Sequence, residues 1–205
     1  MYADEPPIGF DVIEAEDVPE GWQDAWRAFH HGVRAGRLWV GPPWEQAPAG
    51  ALAVEIDPGR AFGTGAHPTT RLALELLQEV EPAALLDVGC GSGVLSIAAA
   101  KLGFAPVTAV DADAAAVEVT RENAERNGVT LEALVLDALA AQPPPADLAV
   151  ANIALDVVER LLPRLDVASA IVSGYLERDE PGADGWRRVG RRVAGGWAAD
   201  LLVRG

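Results

Sequence analysis

From Ala83 onward, short runs of β-forming residues alternate with stretches of helical spacing, the pattern of βαβ units around a parallel sheet. Residues 85–88, 107–110, 131–136, 148–151 and 170–173 predict strands. Between the first two, Leu95, Ala98, Ala99 and Leu102 recur at helical spacing, with Ser92 as candidate cap and Gly103 as stop. Asp113 is placed to cap a second helix that stops at Asn127-Gly128, and Leu72, Leu76 and Leu77 mark an earlier helix starting near Thr69. Residues 189–193 and 197–203, separated by Gly195-Gly196, read as an antiparallel hairpin. The predicted class is α/β, a mostly parallel sheet ending in that hairpin.

Two segments break the alternation. Pro143-Pro144-Pro145 predicts a loop where a crossover helix would otherwise stand, and residues 177–185 are too short and turn-rich for more than a reduced helix or a loop. The first 55 residues differ throughout: they are acidic, interrupted by Pro6, Pro7, Pro19, Pro42, Pro43 and Pro48, and carry Trp22, Trp26, Trp39 and Trp44. Trp22, Trp26 and Phe29 share one face of an expected helix over 21–31, and a strand is expected over 38–40. These aromatics read as a cover packed on the main domain. The expected division is a lead-in, 1–55, and a main domain, 56–205.

Composition narrows the function classes. A chain of 205 residues fits one domain, and 50% hydrophobic with 23% charged residues is a globular balance. The net charge of −15 argues against a phosphate-gripping nucleic-acid binder and suits a basic protein or cationic amine. Cys90 stands alone, which excludes a disulfide framework and a multi-cysteine zinc site. No residues with metal-ligand spacing accompany His67, and no metal is expected. With no leader pattern and no apolar run near ~18 residues, the expected compartment is the cytoplasm.

The segment from Asp87 through Gly89, Cys90, Gly91, Ser92 and Gly93 follows a buried strand and opens a helix, so ligand atoms can approach backbone N–H groups there. Val94 stands where the dinucleotide fingerprint needs a small residue, which disfavours an NAD-type pyrophosphate. Asp111 ends the next strand, about 20 residues on, where a carboxylate can accept both hydroxyls of a ribose.

These features resemble the seven-stranded, Rossmann-like methyltransferases that use S-adenosylmethionine. The resemblance implies helices on both faces of the sheet, cofactor contacts at Asp87, Gly89, Gly91, Gly93 and Asp111, and an adenine site at Asp137 and Ala138. It sets Asn152 at the mouth of the site.

A second segment, from Asp57-Pro58-Gly59-Arg60-Ala61 through Phe62-Gly63-Thr64-Gly65-Ala66-His67-Pro68 to Thr69-Thr70, is a loop of small, hydroxyl and aromatic groups before a helix. It resembles the signature of the PrmA family, methyltransferases of a ribosomal protein. The likeness continues through Gly21-Trp22, Trp39, Pro43-Trp44-Glu45, Asn152-Ile153, Ser173-Gly174-Tyr175-Leu176 and Trp197. It implies cofactor contacts at Thr70, Gly89, Asp111 and Asn152, with Phe62, Gly63, Thr64 and His67 closing over the methionine end. A capping or structural role for His67 stands beside the ligand role. The family carries an additional N-terminal recognition domain and a linker, and this sequence begins at what resembles the linker.

Asn152 bears on the reaction. Enzymes that methylate planar amino groups follow this asparagine with two prolines and an aromatic; here Ile153-Ala154-Leu155 follow. That favours an aliphatic amine, lysine or a terminal α-amine, whose neutral form costs a lysine of pKa ~10.4 about 4 kcal/mol near neutrality. The expectation is in-line transfer driven by positioning, with Asn152 orienting the amine. The alternatives are an idle S-adenosylmethionine-binding module, a small-amine enzyme, or a nucleic-acid methyltransferase.

Overall fold

The computed structural model describes residues 31–57, 63 and 65–205, all within one unit, His31–Gly205. A small sheet leads: β1 (Val33–Ala35) and β2 (Leu38–Gly41) form a hairpin, and β3 (Leu52–Glu55) runs parallel to β2. The helix expected over 21–31, with Trp22, Trp26 and Phe29, lies outside the described residues, as do Phe62 and Thr64.

The large sheet contains β4 (Leu85–Val88), β5 (Val107–Asp111), β6 (Glu132–Val135), β7 (Leu148–Asn152), β8 (Ser169–Leu176), β9 (Trp186–Ala194) and β10 (Trp197–Arg204). Their order is β6-β5-β4-β7-β8-β10-β9. The first five strands of that order run parallel, with Leu85 opposite both Val107 and Leu148; β10 runs antiparallel between β8 and β9. This is the expected mostly parallel sheet with a terminal hairpin, although β9 starts earlier than its apolar run because Arg187 and Arg188 lie within it.

Side chains alternate between the two faces. Leu85 joins a core with Leu38, Val54, Leu76 and Ile97, whereas Leu86 and Val88 join Val158, Leu161 and Tyr175 on the other side. The first face is covered by α1 (Pro68–Leu77), α2 (Val94–Leu102) and α3 (Ala114–Arg126). The second has α4 (Leu155–Leu161) and a 3-10 turn, Leu162–Arg164. No helix fills residues 136–147 or 177–185, as the prolines and turn residues predict. β1–β3 share the first core through Ala35, Leu38, Val40 and Val54.

Helix ends follow the expected chemistry with one correction. Asp113 Oδ1 accepts from Ala115 N at 2.9 Å, and Gly103 closes α2 at φ 100°. Ser92 does not cap α2: Gly93, at φ 79°, holds that place without a side-chain bond. The Ser92 hydroxyl points elsewhere and donates to the carbonyl of Gly63 at 2.6 Å. No described helix is long and apolar enough to cross a membrane.

Candidate functional site

The carboxyl ends of parallel strands bring the chemistry-bearing residues together, since each strand there hands over to a loop. Gly89 follows β4, Asp111 ends β5 and Asn152 ends β7. A cavity of about 140 Å³ opens at Gly89 and Asp111, walled by apolar groups that include Leu136, Ala138, Ile153, Val157 and Leu161, with Asp111 and Asp137 as its acidic groups. Sequence reasoning named Gly89, Asp111, Asp137 and Ala138. It missed the apolar walls from α4 and from the segment after β6.

Two backbone N–H groups hold the Asp111 carboxylate. Its Oδ2 accepts from Gly91 N and its Oδ1 from Asp113 N, both at 3.0 Å, which leaves the other lone pairs for hydroxyl donors. Asp137 Oδ1 accepts from Leu139 N at 2.8 Å and so shapes the turn that carries buried Ala138. An apolar slot lined by two carboxylates suits a flat heteroaromatic base joined to a sugar diol.

Asp87 sits behind this surface. It is buried, its Oδ2 accepts from Ser96 N (3.1 Å) and Ser96 Oγ (2.5 Å), and desolvation raises its pKa to about 6. It therefore holds the start of α2 under the glycine turn rather than lining the cavity. Cys90 is a buried thiol whose pKa is pushed up to about 12 by desolvation and the nearby Asp87 charge, unsuited to nucleophilic work.

Asn152, which precedes the wall residue Ile153, reaches the start of α1. His67 caps it, its Nδ1 accepting from Thr69 N at 3.3 Å and lying 2.7 Å from Thr69 Oγ1, while its ring meets Trp197 edge-on at 4.7 Å. That is the capping and packing role. Thr70, buried in the first turn, accepts at Oγ1 from Asn152 Nδ2 at 3.1 Å. With its Nδ2 so engaged, Asn152 has its carbonyl oxygen available as an acceptor.

Ile153, next to Asn152, explains two glycines. A Cβ on Gly89 would come within 2.7 Å of the Ile153 side chain, and one on Gly174 (φ 109°) would collide with the Ile153 carbonyl. The sequence alone assigns Gly174 no role; its signal there is a glycine directly after the β run 170–173. Gly63 reaches the site through Ser92, and Gly91 and Gly93 shape the turn. Among the described residues no group of His, Cys, Asp and Glu could hold a metal ion.

A seven-stranded sheet in this order, a glycine turn after its central strand and an acid at the end of the neighbouring strand define the Rossmann-like methyltransferase fold. Within that class, the family model described as ribosomal protein L11 methyltransferase (PrmA) matches residues 8–181, and the chain belongs to this family. A ribosomal protein L11 methyltransferase of Symbiobacterium thermophilum is 42% identical over 97% of this chain and 69% of its own length. One from Caldanaerobacter subterraneus subsp. tengcongensis is 42% identical over 76% of this chain, which spans 53% of that relative. The crystal structure of ribosomal protein L11 methylase from Lactobacillus delbrueckii subsp. bulgaricus superposes with a TM-score of 0.73 at 33% identity, covering 85% of this chain and 98% of that one.

Proposed function

We propose that the chain is an S-adenosylmethionine-dependent N-methyltransferase acting on lysine or α-amino groups of a basic protein, with ribosomal protein L11 the first substrate to test. The pairing of Asn152 with Thr70 carries this reading, because it leaves the Asn152 carbonyl oxygen as an acceptor one residue from Ile153, a wall of the apolar cavity that holds Asp111.

The residues present fit the cofactor. Asp111 would take the ribose hydroxyls, and Asp137 with Ala138 the adenine edge. Gly89, Gly91 and Gly93 would give close backbone approach, and Thr70, Gly63 and His67 would border the methionine end. By the family resemblance, Phe62 and Thr64 would also border the methionine end. The bound cofactor supplies an electrophilic methyl group on a positively charged sulfur. Asn152 Oδ1 accepts one hydrogen of the incoming amine and so aims its lone pair. The apolar side chain of Ile153 removes water from that amine, which favours the neutral form. Residues 56–205 carry this chemistry, with 1–55 as the lead-in. The net charge of −15 favours encounter with a basic substrate, and the cytoplasm is the compartment this function implies.

The test is calorimetric titration with S-adenosylmethionine, followed by incubation with labelled cofactor and either purified ribosomal protein L11 or a bacterial lysate. Binding and a labelled protein are expected, with turnover lost in Asn152→Ala while binding weakens less. No binding would refute the reading. Binding with no labelled protein would favour an idle module or a small amine as acceptor.

A further inference from the structure

Helix α3 and its C-cap present a polar row at i, i+3 and i+7: the buried Thr120 and Asn123, and the half-buried Asn127. Polar groups buried on a helix normally serve their own backbone or one another; these also reach two other segments. Thr120 Oγ1 donates to Gly91 O at 3.1 Å, and Asn123 Nδ2 donates to Ser92 O at 2.9 Å. Asn127 grips Glu55 at both backbone groups, accepting from its N at 2.9 Å and donating to its O at 2.6 Å. Asn123 Oδ1 also accepts from Asp57 N at 3.3 Å, and Arg126 pairs with Asp57 at 3.6 Å.

Ser92 completes the connection. Its carbonyl is held by Asn123 and its hydroxyl holds Gly63. Ser92, Thr120 and Asn123 are at most 1% exposed. The approach is so close that a Cβ on Gly93 would lie 2.9 Å from Thr120 Cγ2 and 3.2 Å from its Cα. Gly91 is thereby clamped at both ends, its carbonyl by Thr120 and its N–H by Asp111.

We infer that Ser92 and Asn123 are positioning residues for the cofactor: they bind the glycine turn to α3 and to Gly63, and so fix the turn and Asp111 in the geometry that receives the ligand. The inference rests on the cofactor reading above. Neither residue needs to touch the ligand. Their effect reaches it through Gly91, whose N–H orients the Asp111 carboxylate, and through Gly63, which precedes the α1 start that carries Thr70.

The experiment is calorimetric titration of the full chain with S-adenosylhomocysteine, together with thermal melting and steady-state kinetics in the cofactor. Ser92→Ala removes only the hydroxyl that holds Gly63 and leaves little space behind. It should raise the dissociation constant and cofactor KM by about tenfold, the value of one hydrogen bond, with kcat at saturation within about twofold. Asn123→Asp keeps an acceptor for Asp57 N but loses the donor to Ser92 O, and should weaken binding to a similar extent. Asn127→Ala, whose bonds end at Glu55 and Asn123, should lower the melting temperature and leave affinity nearly unchanged. Wild-type affinity in both Ser92→Ala and Asn123→Asp would overturn the inference while the cofactor reading stands. A wild-type chain that binds no S-adenosylhomocysteine would overturn both.

Discussion

The two faces of the large sheet are covered by different means. On one, α1, α2 and α3 lay apolar stripes over Leu85, Val107 and Val150, and the backbone of each helix satisfies itself. On the other, α4 is short and its neighbouring crossovers are loops, whose carbonyls need outside donors. Long side chains supply them: Arg164 donates to Ala138 O (2.8 Å) and Ala141 O (3.0 Å), Arg191 to Glu177 O (2.7 Å) and Asp179 O (2.8 Å), and Trp186 to Leu162 O (3.2 Å). Each face also buries a carboxylate. Asp87, on the helical side, is met by the two donors of Ser96. Asp200, on the loop side, accepts from Tyr175 at 2.9 Å and has Arg191 and Arg188 at 3.5 and 3.9 Å. The helix-covered face is held mostly by packing, with the ties of Thr120, Asn123 and Asn127 added at the glycine turn and the end of β3. A loop-covered face is tied down by polar groups that cross from one segment to another.

The largest expected effect comes where the loop face meets the site. Gly174→Ala puts a methyl group into the Ile153 carbonyl at a backbone φ of 109°, and no flexible side chain can give way. Unfolding free energy should fall by about 3–5 kcal/mol, from strain and displaced backbone, and methyl transfer should fall further than cofactor binding because Asn152 precedes Ile153. Urea unfolding with parallel activity assays checks this; a near-neutral variant would mean that the Asn152–Ile153 segment is free to shift.

The buried acid of the helical face gives the next effect. The pKa of Asp87 is raised to about 6 by desolvation, so the folded state takes up its proton before the unfolded state does. Ionised Asp87 therefore lowers stability by ~3 kcal/mol above about pH 7, and that cost is relieved as pH falls from about 6 toward 4. Asp87→Asn can keep both Ser96 bonds, since both end on one oxygen. The variant should be more stable than the parent at pH 8, and the difference should vanish near pH 4. A difference independent of pH would refute the assignment.

This contrast also marks how far the sequence could be read. Strand runs such as 85–88 and 148–151, and the Asp113 cap, are local signals, and each appears close to its expected place. Ser92 suggests a cap because the sequence shows a hydroxyl before a helix; only the fold shows Gly63 beside it. Asp111 and Asn152 are legible because strand ends converge in any such sheet. Gly174, Asn123 and the Arg191–Asp200 pair are not, since their partners are distant in the chain and no periodicity announces them.

Arg191 measures how much the loop face depends on its ties. In Arg191→Leu, Asp200 keeps Tyr175 and Arg188 but loses a cation that holds its pKa down against desolvation, and two loop carbonyls lose a donor. A loss of about 2–3 kcal/mol is expected at pH 7 from those missing partners. It should shrink at lower pH, where Asp200 takes up a proton. Adding Asp200→Asn should recover part of the loss; if it adds its full cost instead, the carboxylate and the arginine act independently.

The smallest effect compares two aspartates making the same contact. Asp113 Oδ1 accepts from Ala115 N at 2.9 Å, and Asp137 Oδ1 from Leu139 N at 2.8 Å; both side chains belong to exposed residues. Asp113 heads α3, so its loss leaves an N–H unsatisfied at a helix end and removes a charge favourable to the helix dipole, worth ~1 kcal/mol. Asp137 heads only a turn, where water replaces the lost bond, and Asp137→Ala should cost under about 0.5 kcal/mol of stability. Because Asp137 borders the cavity, its variant should weaken S-adenosylhomocysteine binding, whereas Asp113→Ala should leave binding nearly unchanged. Melting curves and calorimetry on the two variants separate the roles: equal losses of stability would show that the loop face is as cooperatively held as the helical one.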